Sequence, residues 1–218
     1  MNTNESYLEL IIGPMFSGKT SKLLEIYKQC IFCNIPVCII NHSIDTRYSE
    51  TLMSSHDKLM APCLRTSELN QLWTIDNSDF ATHQIYKMNQ LLKQANVILI
   101  NEGQFFPDLY EVVLDMLKEN KKVYICGLDG DFERKKFGSI LDLIPYCDSI
   151  TKLTSLCSLC KNGTRAIYSM RLTQEKQQTL VGSDNYIPVC RKCYDNQLVK
   201  TQQTKSNLLN FYTAEQNV

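Results

Sequence analysis

The sequence predicts an α/β fold: a mostly parallel sheet flanked by helices, with a small cysteine-built module appended. Three observations carry this. Short apolar runs alternate with segments of helical periodicity along most of the chain. The first run leads into a phosphate-loop pattern, and two CxxC pairs stand near the C-terminus. With 218 residues and 44% hydrophobic composition, the chain can bury one α/β core and a second, smaller unit. The expected division is a nucleotide-binding domain over residues 1–152, a cysteine module over 153–195 and a polar tail over 196–218.

Taken in order, Tyr7 to Ile12 reads as a short buried strand. After the glycine loop, Leu23, Leu24, Ile26, Tyr27, Cys30 and Ile31 recur at helical spacing. Ile35 to Ile40 reads as the next strand. Residues 43–79 are mixed and polar. Phe80 to Ala95 reads as a helix with Ile85, Met88, Leu91 and Leu92 on one stripe. Val97 to Ile100 is a continuous apolar run, the pattern of a strand covered on both faces. Pro107 is placed to open the following helix, since its missing N–H is not needed there. Val123 to Leu128 reads as a further strand. Beyond residue 150 only short pieces remain, such as Ala166 to Leu172, and the tail from Asn196 is expected to be loosely held.

Gly13-Pro14-Met15-Phe16-Ser17-Gly18-Lys19-Thr20 fits GxxxxGK[ST]. In such a P-loop, successive backbone N–H groups point inward at an anion and the next helix offers its N-terminus to negative charge. Lys19 would bridge the β- and γ-phosphates of ATP, and Thr20 would hold Mg²⁺. The competing reading is a plain strand-to-helix turn, which the flanking strand and amphipathic helix disfavour. Asn101 and Glu102 stand at the end of the VILI run. A carboxylate there sits where ligands bind to open parallel sheets, as a metal partner or a general base. The plain alternative is an acid favouring a helix N-terminus. Phe105, Phe106, Phe132 and Phe137 can line a stacking pocket, although each taken alone reads as core.

Cys157-x-x-Cys160 and Cys190-x-x-Cys193 are separated by 29 residues. Four thiolates in two knuckles match a closed, structural Zn²⁺ site whose ion clamps the base of the intervening loop. A redox pair or two buried pairs are the alternatives. The other six cysteines (Cys30, Cys33, Cys38, Cys63, Cys126, Cys147) lie in or beside apolar segments and read as small hydrophobes. Lysine plus arginine equals aspartate plus glutamate, 23 each, so no global charge argues for nucleic acid. Arg134, Lys135 and Lys136 form one local basic run, most simply a solvated loop. No run approaches the length of a membrane span, and Met1 to Tyr7 lacks the pattern of a signal peptide, so a cytoplasmic location is expected.

GPMFSGKT, DTRYS (Asp45 to Ser49), EGQFFPD (Glu102 to Asp108), LDGDFERKKFGSI (Leu128 to Ile140) and the paired CxxC stand in an order that closely resembles the type II thymidine kinase family, the cytosolic kind also carried by large DNA viruses. The resemblance covers roughly residues 5 to 195. It implies a RecA-like P-loop sheet with a zinc-ribbon module and a substrate-closing "lasso". It implies transfer of the ATP γ-phosphate to the 5′-hydroxyl of thymidine, with Mg²⁺ and structural Zn²⁺. Gly13 to Thr20 would bind ATP, with Asp45, Arg47, Asn101 and Gln104 around its phosphates and metal. Glu102 would be the general base. Met15, Phe105, Leu128, Phe132 and Phe137 would surround the base, with Ser169 near the thymine methyl. Gln177, Gln178, Thr179, Leu180 and Val181 would hold thymine largely through main chain, with Tyr186 beside it. The resemblance also implies a homotetramer and feedback inhibition by thymidine triphosphate.

Two departures stand out. The family usually has Asp where this chain has Asn101, so one negative charge is missing at the metal edge. Between Cys160 and Tyr168 the chain runs slightly longer than many relatives. Two other function classes compete. A nucleoside monophosphate kinase would need several arginines for a second phosphate, and the phenylalanine-rich pocket argues against it. A non-catalytic P-loop or zinc-ribbon nucleic-acid binder is disfavoured by the neutral charge.

Overall fold

The computed structural model describes residues 5–45, 52–54, 60–74, 83–180 and 182–197. The first strand, β1 (Tyr7–Ile12), runs into the phosphate loop and then α1 (Lys19–Phe32). β2 (Val37–His42), the short strands β3 (Leu52–Ser54), β4 (Met60–Pro62) and β5 (Leu64–Thr66), and α2 (Asn70–Trp73) follow. Next come α3 (His83–Gln94), β6 (Val97–Asn101), α4 (Leu109–Lys118), β7 (Lys122–Gly127) and β8 (Ser149–Lys152). The remaining strands are β9 (Ser155–Leu156), β10 (Arg165–Ala166), β11 (Tyr168–Arg171) and β12 (Tyr186–Val189). Residues 191–197 are helical.

Six strands form one sheet in the order β5-β2-β6-β7-β1-β8, and every pairing within it is parallel. The apolar runs explain this directly. Successive side chains point to opposite faces, so a strand buried on both sides must be apolar throughout. In β6, Ile98 and Ile100 enter one core while Val97 and Leu99 enter the other. The first core packs under α2, α3 and α4 through Leu72, Trp73, Leu92, Leu109, Val112, Val113 and Met116. The second packs under α1 through Leu23, Leu24 and Cys30. A third, much smaller core holds Cys157, Ala166, Val189, Cys190 and Tyr194 in the cysteine module.

Several expected boundaries shift. β2 ends at His42 rather than Ile40. Asn41 and His42 extend it because their polar groups find buried partners, His42 toward the Ser67 carbonyl and Asn41 toward Asn101. Pro107 lies two residues before α4 rather than at its first position. Asp108, between them, turns its carboxylate to the Leu69 and Asn70 N–H groups (3.0 and 2.7 Å) and caps α2. The helical stripe expected at 80–95 is rotated: Leu92 is fully buried but Leu91 is half exposed. Cys33, read as core-like, is exposed. β8 was not legible, because an edge strand needs only one covered face and Ser-Ile-Thr-Lys reads as polar. Arg47, Val181 and the tail beyond residue 197 lie outside the described residues.

Candidate active site

All the parallel strands point their carboxyl ends at one cleft, as open α/β sheets require of a ligand site. The phosphate loop leaves β1, Asp45 lies just beyond β2, Glu102 follows β6, and Leu128 follows β7. The far wall of the cleft is β11 and the loop to β12.

The loop is shaped for an anion. Gly13 has φ +151°, and a Cβ there would stand 2.4 Å from the Leu153 carbonyl oxygen, so only glycine lets the loop pass. Gly18 closes the loop in the left-handed region, and the first turn of α1 carries no acidic residue. The positive end of α1 therefore faces the loop uncompensated. Lys19 Nζ is buried and donates to the Pro14 carbonyl at 2.7 Å, which lays its side chain along the loop. Ser17 Oγ is buried without a hydrogen-bond partner among the described atoms. A hydroxyl left in that state is suited to a ligand oxygen.

Behind the loop lies a chain of amides. Thr20 Oγ1 donates to Asn101 Oδ1 at 3.4 Å, Asn101 Nδ2 donates to Asn41 Oδ1 at 2.8 Å, and Asn41 Nδ2 donates to Asp45 Oδ2 at 3.3 Å. With its proton turned to Asn101, the Thr20 oxygen keeps lone pairs for a cation. The residues fit Mg²⁺, although Asn101 itself is buried behind Thr20 and does not line the cleft.

Glu102 occupies the left-handed region (φ 56°, ψ 42°), where a non-glycine residue is held at a cost of about 1–2 kcal/mol. Gln104 fixes it. Its Nε2 donates to Glu102 Oε2 at 2.8 Å, and its Oε1 accepts the Leu128 N–H at 2.9 Å. Gln104, expected beside the phosphates, thus spends its amide on Glu102 and Leu128, although it still lines the cleft. Gly138 makes the fit possible: at φ +61°, a Cβ would meet the Gln104 carbonyl oxygen at 2.2 Å.

Phe105 packs edge-on to Phe137, with ring centroids 5.4 Å apart, and both line the cleft with Met15, Leu128 and Phe132. Phe106 departs from the expected aromatic set: it is buried in the sheet's core, edge-on to His42 at 4.7 Å. His42 is buried, and desolvation holds its imidazole below the ordinary value, with the Ile44 N–H donating to Nδ1. Ser169 accepts the Met15 N–H at 2.9 Å and so ties the cysteine module to the phosphate loop. Gln178, Thr179, Leu180 and Tyr186 line the cleft, whereas Gln177, Gly13 and Pro14 do not.

Two site residues escaped the sequence reading. Asp131 takes the Glu133 and Lys135 N–H groups on Oδ1 and the Gln178 amide on Oδ2. It lay within the LDGDFERKKFGSI stretch but had no marked role. Arg171 sits buried under the loop and carried no motif at all. The basic run is no patch: Arg134 pairs with Asp195, Lys135 with Glu133 and Lys136 with Asp142.

The four expected cysteine ligands converge, with all four sulfurs within 4.8 Å of one another. Zn–S bonds of about 2.3 Å in a tetrahedron place sulfurs roughly 3.8 Å apart. Cys160 Sγ lies 3.7 Å from Cys190 Sγ and 3.4 Å from Cys193 Sγ. Burial pushes the Cys157 thiol up, but the N–H groups of Cys160, Cys190 and Leu159 outweigh it and bring it down to about 6. Hydrogen bonding to Cys160, then burial, pushes Cys193 up to about 12. Four sulfurs this close ionise together only around a cation, and the set fits Zn²⁺.

A phosphate loop at the carboxyl end of β1 in a parallel sheet, sharing a cleft with an acid that follows β6 two strands away, defines a P-loop phosphotransferase. The thymidine kinase family model matches residues 6–194. The chain is 38% identical over 206 residues to a thymidine kinase of Oryza sativa subsp. japonica, covering 91% of this chain and 71% of the rice protein. It is 36% identical over 202 residues to thymidine kinase 1 of Dictyostelium discoideum (91% and 82%) and 37% identical over 195 residues to the Variola virus thymidine kinase (88% and 98%). The chain belongs to the thymidine kinase family and is an enzyme of the kinase class. Among the described residues no helix is long and apolar enough to cross a membrane.

Proposed function

We propose that the enzyme transfers the γ-phosphate of ATP to the 5′-hydroxyl of thymidine. The observation that carries this is the cleft itself, lined together by the phosphate loop, Glu102 and the aromatic side chains Phe105, Phe132 and Phe137. Glu102 takes the proton of the 5′-hydroxyl as that oxygen bonds to the γ-phosphorus. The bond from phosphorus to the β–γ bridging oxygen breaks, and ADP leaves. Lys19 and the loop N–H groups from Gly13 to Thr20 neutralise the charge on the phosphates, and this positioning supplies most of the catalysis. Thr20 and Asp45 would hold Mg²⁺, which would supply further charge neutralisation when bound, and Arg47, from outside the described residues, would attend the phosphates. Asn101 supports Thr20 without adding charge.

Met15, Phe105, Leu128, Phe132 and Phe137 would enclose the base, Ser169 would sit by its methyl, and Gln177 to Val181 with Tyr186 would close over it. Among the described residues the cleft wall carries no arginine, which suits an uncharged nucleoside rather than a monophosphate. Cys157, Cys160, Cys190 and Cys193 would hold a structural Zn²⁺ that fixes a 153–195 lasso domain on a 1–152 kinase domain. By resemblance, the reading includes a homotetramer, inhibition by thymidine triphosphate and action in the cytoplasm. The test is direct. Incubated with Mg·ATP and a panel of nucleosides and monophosphates, the protein is expected to phosphorylate thymidine and leave the monophosphates untouched. Preferential phosphorylation of a monophosphate would overturn the reading.

A further inference from the structure

Arg171 is the side chain on which the loop between β11 and β12 is hung. It ends β11, directly opposite Tyr186 in the β11–β12 register, and it is buried. A guanidinium has five N–H donors, and here five bonds are made. Nη1 donates to the carbonyls of Glu175 (2.8 Å) and Gln177 (2.5 Å). Nη2 donates to the Gln178 carbonyl (3.0 Å) and the Tyr186 hydroxyl (2.5 Å), and Nε donates to the same hydroxyl at 3.2 Å. The flat face of the group lies over the Phe132 ring, with Cζ 3.7 Å from its centroid.

Each partner bears on the cleft. Phe132, Gln178 and Tyr186 line it, and Gln177 and Glu175 set the path of the loop that reaches it. This stretch is also tied by the Gln178 amide to Asp131 and the Lys136 carbonyl and by the Leu172 N–H to the Asn185 carbonyl, and residues 172 to 178 are exposed. With both lone pairs of the Tyr186 hydroxyl filled by Arg171, that phenol has only its proton to offer a ligand.

We infer that Arg171 is a positioning residue for the nucleoside: it fixes the loop's main chain and turns Tyr186 into a hydrogen-bond donor toward the substrate. This rests on the thymidine kinase reading. Lysine cannot replace it, because an ammonium has three donors from one point and no planar face to lie on Phe132.

The test compares wild type with R171K, R171M and Y186F, each verified for zinc content and thermal unfolding. In R171M the KM for thymidine is expected to rise about 30- to 160-fold, the loss of two or three hydrogen bonds at roughly 1 kcal/mol each. The KM for Mg·ATP should stay within about twofold, and kcat should fall far less than kcat/KM. R171K is expected to fall between wild type and R171M, and Y186F to raise the thymidine KM less than R171M. An unchanged thymidine KM in R171M, or a loss confined to kcat, would overturn the inference. Tryptic cleavage after the exposed Lys176 gives a readout independent of substrate, and it should accelerate in R171M. Equal cleavage rates would also count against Arg171. If the wild type fails to phosphorylate thymidine, the function reading falls, and the cleavage rates alone still decide the role of Arg171.

Discussion

The two walls of the cleft are held by different physics. On the phosphate side, the loop, Asp45, Glu102 and Leu128 sit at the ends of strands buried on both faces, so core packing fixes them. On the opposite side, the loop from 172 to 185 stands over a core of a few residues and four cysteines. Polar links hold it: Arg171 to three carbonyls, and Gln178 to Asp131. The lesson is one of division. The strands beneath the phosphate side rest on apolar burial, which is large and tolerant, and Gln104 and the Thr20–Asp45 amide chain set the polar groups on top of it. The wall proposed to admit a nucleoside rests on a few directional bonds.

The sharpest way to break that comparison is at Glu102. Glu102→Gln keeps the shape of the rigid wall and removes the proposed base, so kcat is expected to fall about 10²- to 10⁴-fold while thymidine still binds. Steady-state rates with equilibrium binding would check this, and full activity would remove Glu102 from the chemistry. Leu99→Ala probes the same wall through its core. Leu99 is fully buried, and the cavity is expected to cost about 2–5 kcal/mol in denaturant unfolding, with the thymidine KM of the folded fraction unchanged. A shifted KM would mean that the rigid wall also moves with substrate.

The lasso wall gives the opposite pattern. Chelation of the proposed zinc, or Cys190→Ser, should unfold the small module in a separate low-temperature step and raise the thymidine KM by about tenfold or more. A single unfolding transition that shifts as a whole would show that the two walls are one cooperative unit. At the metal edge, Asn101→Asp restores a charge beside Thr20 and is expected to lower the Mg²⁺ concentration for half-maximal activity. An unchanged or higher requirement would show that the chain from Thr20 to Asp45 already does that work. The smallest effect concerns His42. Burial keeps it neutral in the folded state, so the unfolded chain takes up the proton first. Its contribution is complete above the ordinary histidine value of about 6.5 and is lost as pH falls below it. His42→Asn should flatten the wild-type decline in melting temperature between pH 7.5 and 5.5, and parallel profiles would show that another group sets it.

Much of this was legible in the chain. VILI announced a strand covered on both faces, and β6 is that strand. GPMFSGKT placed the loop, and the cysteine spacing placed four sulfurs at one point. Other readings needed the third dimension. Phe105 and Phe106 look alike in sequence, yet one faces the cleft and the other the core, because a short 3₁₀ turn from Gly103 to Phe105 separates them. Gln104 read as a phosphate contact, because its tie to Leu128 joins residues 24 apart.

By itself the sequence determined the class of sheet, the phosphate loop, the thiolate cluster and the candidate base. These depend on local spacing: a period of two in strands, about 3.6 in helices, and fixed offsets in loops and knuckles. Only the tertiary structure decided which polar groups hold the site in shape. The left-handed turn at Glu102, the amide chain from Thr20 to Asp45 and the grip of Arg171 on its loop are such cases. A guanidinium can serve a solvated surface or gather carbonyls, and composition is the same for both. What settles its role is burial that removes water and leaves the protein's own oxygens as the available partners.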